Sequence, residues 1–94
     1  MRIIASGKRK RAIAKAVITE GSGKVFLNQK DYKNLQMFDK LKIEEPLRIC
    51  KNVLGKINFD ASIKIIGGGE KGQIEAARLA LAKGIVKFTD SAAL

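Results

Sequence analysis

Gly67-Gly68-Gly69-Glu70-Lys71-Gly72-Gln73 is the stretch whose residue types and spacing could do chemistry. A strongly alternating segment runs into it and a helical pattern runs out of it. Consecutive glycines reach backbone angles closed to other residues, and they let a second backbone or a phosphate come close. The first turn of a helix adds unpaired N–H groups and a partial positive charge. The stretch therefore predicts an anion site. Gly67, Gly68, Gly69 and Gly72 permit close approach, Lys71 supplies a cation, and Gln73 donates through its amide. Glu70 is expected to point away, because a carboxylate at a helix start competes with an anion for it. The plainer alternative is a tight strand-to-helix turn and nothing more.

Gly67, Gly69 and Gly72 also spell G-x-G-x-x-G, and Asp90 lies roughly where the dinucleotide fingerprint places an acid. That fingerprint needs a second parallel strand after the helix. The chain given stops at Leu94, which leaves that strand no room, so only the phosphate physics is retained.

A second constellation lies near the start. Lys8-Arg9-Lys10-Arg11 follows the small pair Ser6-Gly7 and leads straight into a strand pattern. Residues 1–19 hold six basic side chains (Arg2, Lys8, Arg9, Lys10, Arg11, Lys15) and no acid. Over 94 residues, 19 basic and 9 acidic groups leave a net charge of +10. Such a field attracts polyanions. Lys8, Arg9, Lys10, Arg11 and Lys15 are the predicted phosphate contacts, with Lys24 added to the patch. A solvated tail would also be basic, but a run that feeds a strand is anchored.

Other chemistry has little to build on. There is no histidine, and the nine acids form no recognisable metal set. No enzyme activity, metal or cofactor is expected. The single Cys50 excludes an internal disulfide and reads as a small core residue. No apolar run approaches the roughly 20 residues of a membrane span, and Met1-Arg2-Ile3-Ile4-Ala5 is soon too charged for a secretory signal. Gly21-Ser22-Gly23-Lys24 superficially resembles a phosphate loop, but Val25 follows and no helix begins there.

The elements that must position these residues follow from periodicity. Ala12, Ala14, Ala16 and Ile18 alternate with Ile13, Lys15 and Val17, a strand whose alanine face calls for close packing by the long helix. Glu20–Lys24 is expected to be a hairpin connection, with Val25–Asn28 as the returning strand. Asp31 is expected to cap a short helix through Phe38. Asp39–Ile43 then reads as a connector, and Glu44-Glu45-Pro46 as the start of a helix that Gly55 ends. Leu47, Cys50 and Leu54, with Ile49 and Val53, carry its helical spacing. Ile57, Phe59, Ala61, Ile63 and Ile65 give the cleanest period-two signal. The last helix is expected from about Glu70 to Phe88, with Ile74, Ala77, Leu81, Ile85 and Phe88 buried and Thr89-Asp90-Ser91 ending it. Ala76, Ala80 and Gly84 let it lie close to a sheet.

These elements make an α+β domain with helices against one sheet face. Its parts are a basic strand hairpin over 1–28, a helical connector over 31–55 and a strand-glycine loop-helix over 57–88. A single domain of this size buries only about 60–65 % of its unfolded surface.

Taken together, the motifs resemble one family: small-subunit ribosomal protein nine, in its archaeal form. The carrying residues are Ser6-Gly7-Lys8-Arg9-Lys10, Ala12-Ile13-Ala14-Lys15-Ala16, Gly21-Ser22-Gly23-Lys24, Glu45-Pro46-Leu47, Gly67-Gly68-Gly69 with Gly72-Gln73, and Ala76-Ala77-Arg78. They run colinearly over nearly the whole chain. The resemblance implies a two-layer α/β sandwich like the second domain of small-subunit protein five, with a left-handed β-α-β crossover against the usual preference. It implies a structural, non-catalytic role in the head of the small ribosomal subunit in the cytoplasm, bound to ribosomal RNA beside neighbouring head proteins. Arg11 departs from the family by replacing a small hydroxyl residue. The family's basic tail, which reaches the anticodon arm of peptidyl-site tRNA, has no counterpart before Leu94, so tRNA contact has no support here. The competing class is a free-standing RNA-binding or RNA-processing module. Membrane binding ranks third, because no amphipathic helix with aromatic anchors adjoins the basic run.

Overall fold

The computed structural model describes residues 2–55 and 59–93. Strands β1 (Arg2–Arg9), β2 (Ala12–Glu20), β3 (Val25–Leu27), β4 (Lys30–Asp31) and β5 (Phe59–Ile66) form one mixed sheet in the order β1-β2-β5-β3-β4. A 3-10 turn (Tyr32–Asn34) and helix α1 (Met37–Leu54) connect β4 to β5, and helix α2 (Glu70–Ala93) follows the glycine loop. Only β3 and β5 run parallel among the paired strands. Parallel neighbours require a crossover, and α1 lies within it.

The long hairpin of this fold is β1–β2, turned by Lys10 and Arg11, with Arg9 opposite Ala12 and Arg2 opposite Thr19; a short one joins β3 to β4 through Asn28 and Gln29. Lys10 takes a left-handed φ of 56°, which a lysine adopts only where the turn demands it. The expected hairpin through Glu20–Lys24 does not form. β5 inserts between β2 and β3, pairing with β2 from Ile13–Ile66 to Glu20–Phe59. The reason is length. β3 has three residues and could satisfy only part of β2, whereas β5 pairs with β2 along its whole length.

The connection over 21–24 is tied to β5 instead. Gly23 N–H donates to the Phe59 carbonyl at 2.9 Å, and the Asp60 carboxylate accepts from Ser22 N–H at 3.1 Å and Lys24 N–H at 3.0 Å. Asn28 pins the other end of β3. Its Oδ1 accepts from Ile65 N–H at 2.8 Å and its own N–H donates to the Ile63 carbonyl at 2.8 Å.

Four further expectations are corrected. Asp31 does cap a helical turn, accepting from Lys33 N–H at 3.0 Å, but that turn is three residues long. Asp39–Ile43 is no connector: α1 starts at Met37 and carries Pro46 in its interior. An internal proline costs about 3 kcal/mol. Burial of Ile43, Leu47 and Cys50 on one stripe offsets it, at about 1.5–3 kcal/mol for a buried aliphatic side chain. Ile49, expected on that stripe, is exposed. Gly55 ends the helix as expected, at a left-handed φ of 80° with its N–H on the Lys51 carbonyl at 2.7 Å. Finally, α2 continues through Thr89-Asp90-Ser91 to Ala93. Of the expected strand from Ile57, the part before Phe59 falls outside the described residues, as do the side chains of Val53 and Leu54.

The core lies between one sheet face and α2, with α1 packed on α2. Ala12, Ala14, Ala16 and Ile18 are fully buried beneath Ala76, Ala77, Ala80 and Leu81. Small residues on both sides bring the backbones together. A Cβ on Gly7 would stand 2.6 Å from the Ala80 nitrogen and 2.7 Å from the Ala76 carbonyl oxygen. Gly84 leaves room for Ile18 in the same way. Phe59 and Phe88 close the far end with ring centroids 5.4 Å apart and planes tilted by 59°. Cys50 is buried among these side chains, and burial pushes its thiol pKa up. No described helix is long and apolar enough to cross a membrane.

Candidate nucleic-acid interface

The basic run and the glycine loop, distant in sequence, meet at one end of the sheet. Lys8 and Arg9 end β1, Lys10 and Arg11 make the hairpin turn, and all four side chains are exposed. Gly67 and Gly68 follow β5, which pairs with β2, so the glycine loop emerges beside that turn. Both adopt left-handed φ values, 77° and 72°. A Cβ on Gly67 would stand 2.7 Å from the Arg11 carbonyl oxygen, and one on Gly68 2.9 Å from the Ala12 nitrogen. Gly72, in the first turn of α2, faces the Arg9 carbonyl oxygen at 3.7 Å by the same construction.

The glycines therefore differ in what they do. Gly67 and Gly68 are required by backbone angle and by the hairpin against them. Gly69 is required by neither: its φ lies outside the left-handed range and no described residue stands within 4 Å of its missing Cβ. Gln73 turns inward. Its Nε2 donates to the Gly67 carbonyl at 3.1 Å, and its N–H donates to Gly69 at 2.9 Å. This places one amide donor inside the loop, closing it, where a phosphate contact was expected. The side chains of Glu70 and Lys71 lie outside the described ones, so the roles expected of them are not seen.

Electrostatics sharpen this end of the molecule. Arg9, Lys10, Lys42, Gly72 and Glu75 line a hollow beside the turn. Glu75 is its acid, and Lys42 binds it at 2.9 Å with Arg78 at 3.6 Å. The Lys42 hydrogen bond holds the Glu75 carboxyl below its usual range. None of the described ion pairs uses Lys8, Arg9, Lys10, Arg11 or Lys15. Lys15 lies on β2 directly opposite Lys64 of β5, a residue that sequence reasoning passed over. The signal was available, since Lys64 sits on the wet side of the clearest alternation. Lys24 does not join the patch. Its carbonyl accepts from Ala61 N–H, six residues before Gly67, which places it about 20 Å along β5 from the glycine loop. Among the described residues no group of three or more His, Cys, Asp or Glu gathers to hold a metal.

A mixed sheet with helices on one face, and with exposed cations beside a glycine loop and helix start at one end, defines a small basic α+β domain. The chain belongs to the ribosomal protein S9/S16 family, whose pattern matches residues 7–94. Curated relatives named small ribosomal subunit protein uS9 include that of Methanococcus vannielii, 44% identical over 84 residues, covering 88% of this chain and 61% of the relative. That of Sulfurisphaera tokodaii is 42% identical over 90 residues, covering 95% and 65%. That of Desulfurococcus amylolyticus is 39% identical over 90 residues, covering 95% and 63%. The chain thus spans just over three-fifths of the length of the curated relatives it matches.

Proposed function

We propose that this domain is a structural constituent of the small ribosomal subunit, bound to ribosomal RNA in the subunit head, in the cytoplasm, and supporting translation without catalysing a reaction. The observation that carries the reading is the meeting of two phosphate-ready motifs at one end of the sheet, in a family whose named relatives are small-subunit proteins. Lys8, Arg9, Lys10, Arg11 and Lys15 contact phosphates. The glycine loop with Gly72 and the α2 start, including Lys71, approaches the RNA backbone. Contacts of this kind position a protein and carry no base sequence, so recognition rests on RNA shape. Lys24 stands outside this footprint. The β3–α1–β5 crossover between parallel neighbours supports a fold of the kind found in the second domain of small-subunit protein five, with a left-handed crossover. Neighbouring head proteins complete the surroundings.

The test is sedimentation. The purified chain is expected to remain with small subunits through a high-salt wash. Its Lys8→Ala/Arg9→Ala/Lys10→Ala/Arg11→Ala variant is expected to be lost from them. A wild-type chain that stays at the top of the gradient would overturn the ribosomal assignment in favour of a free RNA-binding module.

A further inference from the structure

The sheet face turned away from the helices is uncovered, and it carries both apolar and cationic residues. Cross-strand register puts Lys8, Ile13 and Ile66 in one row and Lys15 and Lys64 in the next, with Ile4 in the row beyond. Ile4 is 45%, Ile13 51% and Ile66 64% exposed. Lys15 and Lys64 face each other directly, an arrangement that weakens a strand pair unless counter-charge arrives from outside. The nearest acid on the face, Asp60, is turned onto the backbone of Ser22 and Lys24 at the far end. Every described ion pair lies instead on the helices, among Lys42, Glu75, Arg78, Glu45, Arg48 and Glu44. Among the described residues the ion pairs lie on the helical side, and none lies on the basic sheet side.

Resting on the RNA-binding reading above, we infer that this open face is a second part of the footprint and takes double-helical RNA. Charge complementarity calls for a polyanion, and the top row runs without a break into Arg9 and Gly67 of the end already described. The choice of duplex follows from the side chains. Single-stranded recognition on a sheet uses several exposed aromatic rings as stacking platforms. The ring on this face, Phe26, is half-buried on the far side of β5, opposite Ser62, while the exposed rows are isoleucine and lysine. A-form RNA offers a wide, shallow minor groove lined with ribose and flanked by phosphates. Aliphatic side chains lie against the riboses, and Lys15 and Lys64 reach the phosphates.

The experiment compares the purified chain with Lys64→Glu and with the four-alanine hairpin variant. Each is titrated against a duplex of about 16 base pairs and against one of its strands alone. Lys64→Glu places a carboxylate opposite Lys15, so it should melt no lower than wild type. Its log-affinity versus log-salt slope on duplex should become shallower by about 1, with a smaller loss on the single strand. Equal losses on both forms would overturn the duplex assignment. An unchanged duplex affinity, with the hairpin variant impaired, would show that the face awaits a protein partner, and the inference would fall alone. If the wild-type chain itself binds neither duplex nor single strand, the RNA-binding reading falls with it.

Discussion

A Cβ placed on Gly68 would stand 2.7 Å from the Cβ of Ala12, so the glycine loop and the root of the basic hairpin are packed against each other. Gly68→Ala must therefore pay twice, for a left-handed residue and for the clash. The expected loss is about 2–4 kcal/mol, visible as a fall in melting temperature of more than about 10 °C. Gly69→Ala should change folding by no more than about 0.5 kcal/mol. If RNA backbone approaches the loop, the same variant should still lose affinity. Melting and RNA titration on the two variants separate the roles; a Gly69→Ala chain that binds as wild type does would make the loop a turn and no more.

Gly7 and Gly55 separate steric from conformational cost. Gly7 has an ordinary φ but faces α2 backbone at 2.6 and 2.7 Å, which cannot move aside. Gly7→Ala should cost about 1–3 kcal/mol. Gly55 has φ 80°, and no described residue lies within 4 Å of its missing Cβ. Gly55→Ala should cost about 1–2 kcal/mol, and Gly55→Asn less, since asparagine tolerates this conformation. Denaturant melts of the three variants would test the ranking of Gly55→Asn against Gly55→Ala.

The hairpin tip should set the ionic-strength dependence of RNA binding. Four phosphate contacts through Lys8, Arg9, Lys10 and Arg11 predict a contribution of about −3 to −4 to the slope of log affinity against log salt on duplex-like polymer. Replacing all four with alanine should flatten the plot by that amount. A parallel line displaced downward would mean that the hairpin acts through something other than phosphate neutralisation.

Acid should loosen the connection over 21–24. The Lys24 N–H, with that of Ser22, holds the Asp60 carboxyl below its usual range. Glu75 is lowered in the same sense by Lys42. A depressed folded-state pKa stabilises above the unfolded value and loses that stabilisation as pH falls through the folded value. Stability should therefore be flat from neutrality to about pH 5 and decline below about pH 4. Asp60→Asn should reduce the decline and lower the neutral melting temperature. An acid limb identical to wild type would remove Asp60 from the explanation.

The two β-patterns around Ala14 and Ile63, the stripe from Ile74 to Phe88 and the Gly55 stop were all legible, because alternation, helical spacing and left-handed glycine are local properties of a chain. So was the basic run. The partner of each strand was not local. β2 rejected β3, its neighbour in sequence, because β5 offers it a full-length ladder. α1 crossed Pro46 because Ile43 gained burial that no local rule counts. The same non-local pairing brought Gly67 and Gly68 to Arg11 and Ala12, set Lys64 opposite Lys15, and carried Lys24 to the other end of the sheet. Sequence alone determined that the protein is basic and α+β, with a basic run leading into a strand and a glycine-rich stretch leading into a helix. That these motifs form one surface, and that an uncovered face of isoleucine and lysine continues it, was decided only when hydrogen bonding along β2 and β5 outweighed proximity in the chain.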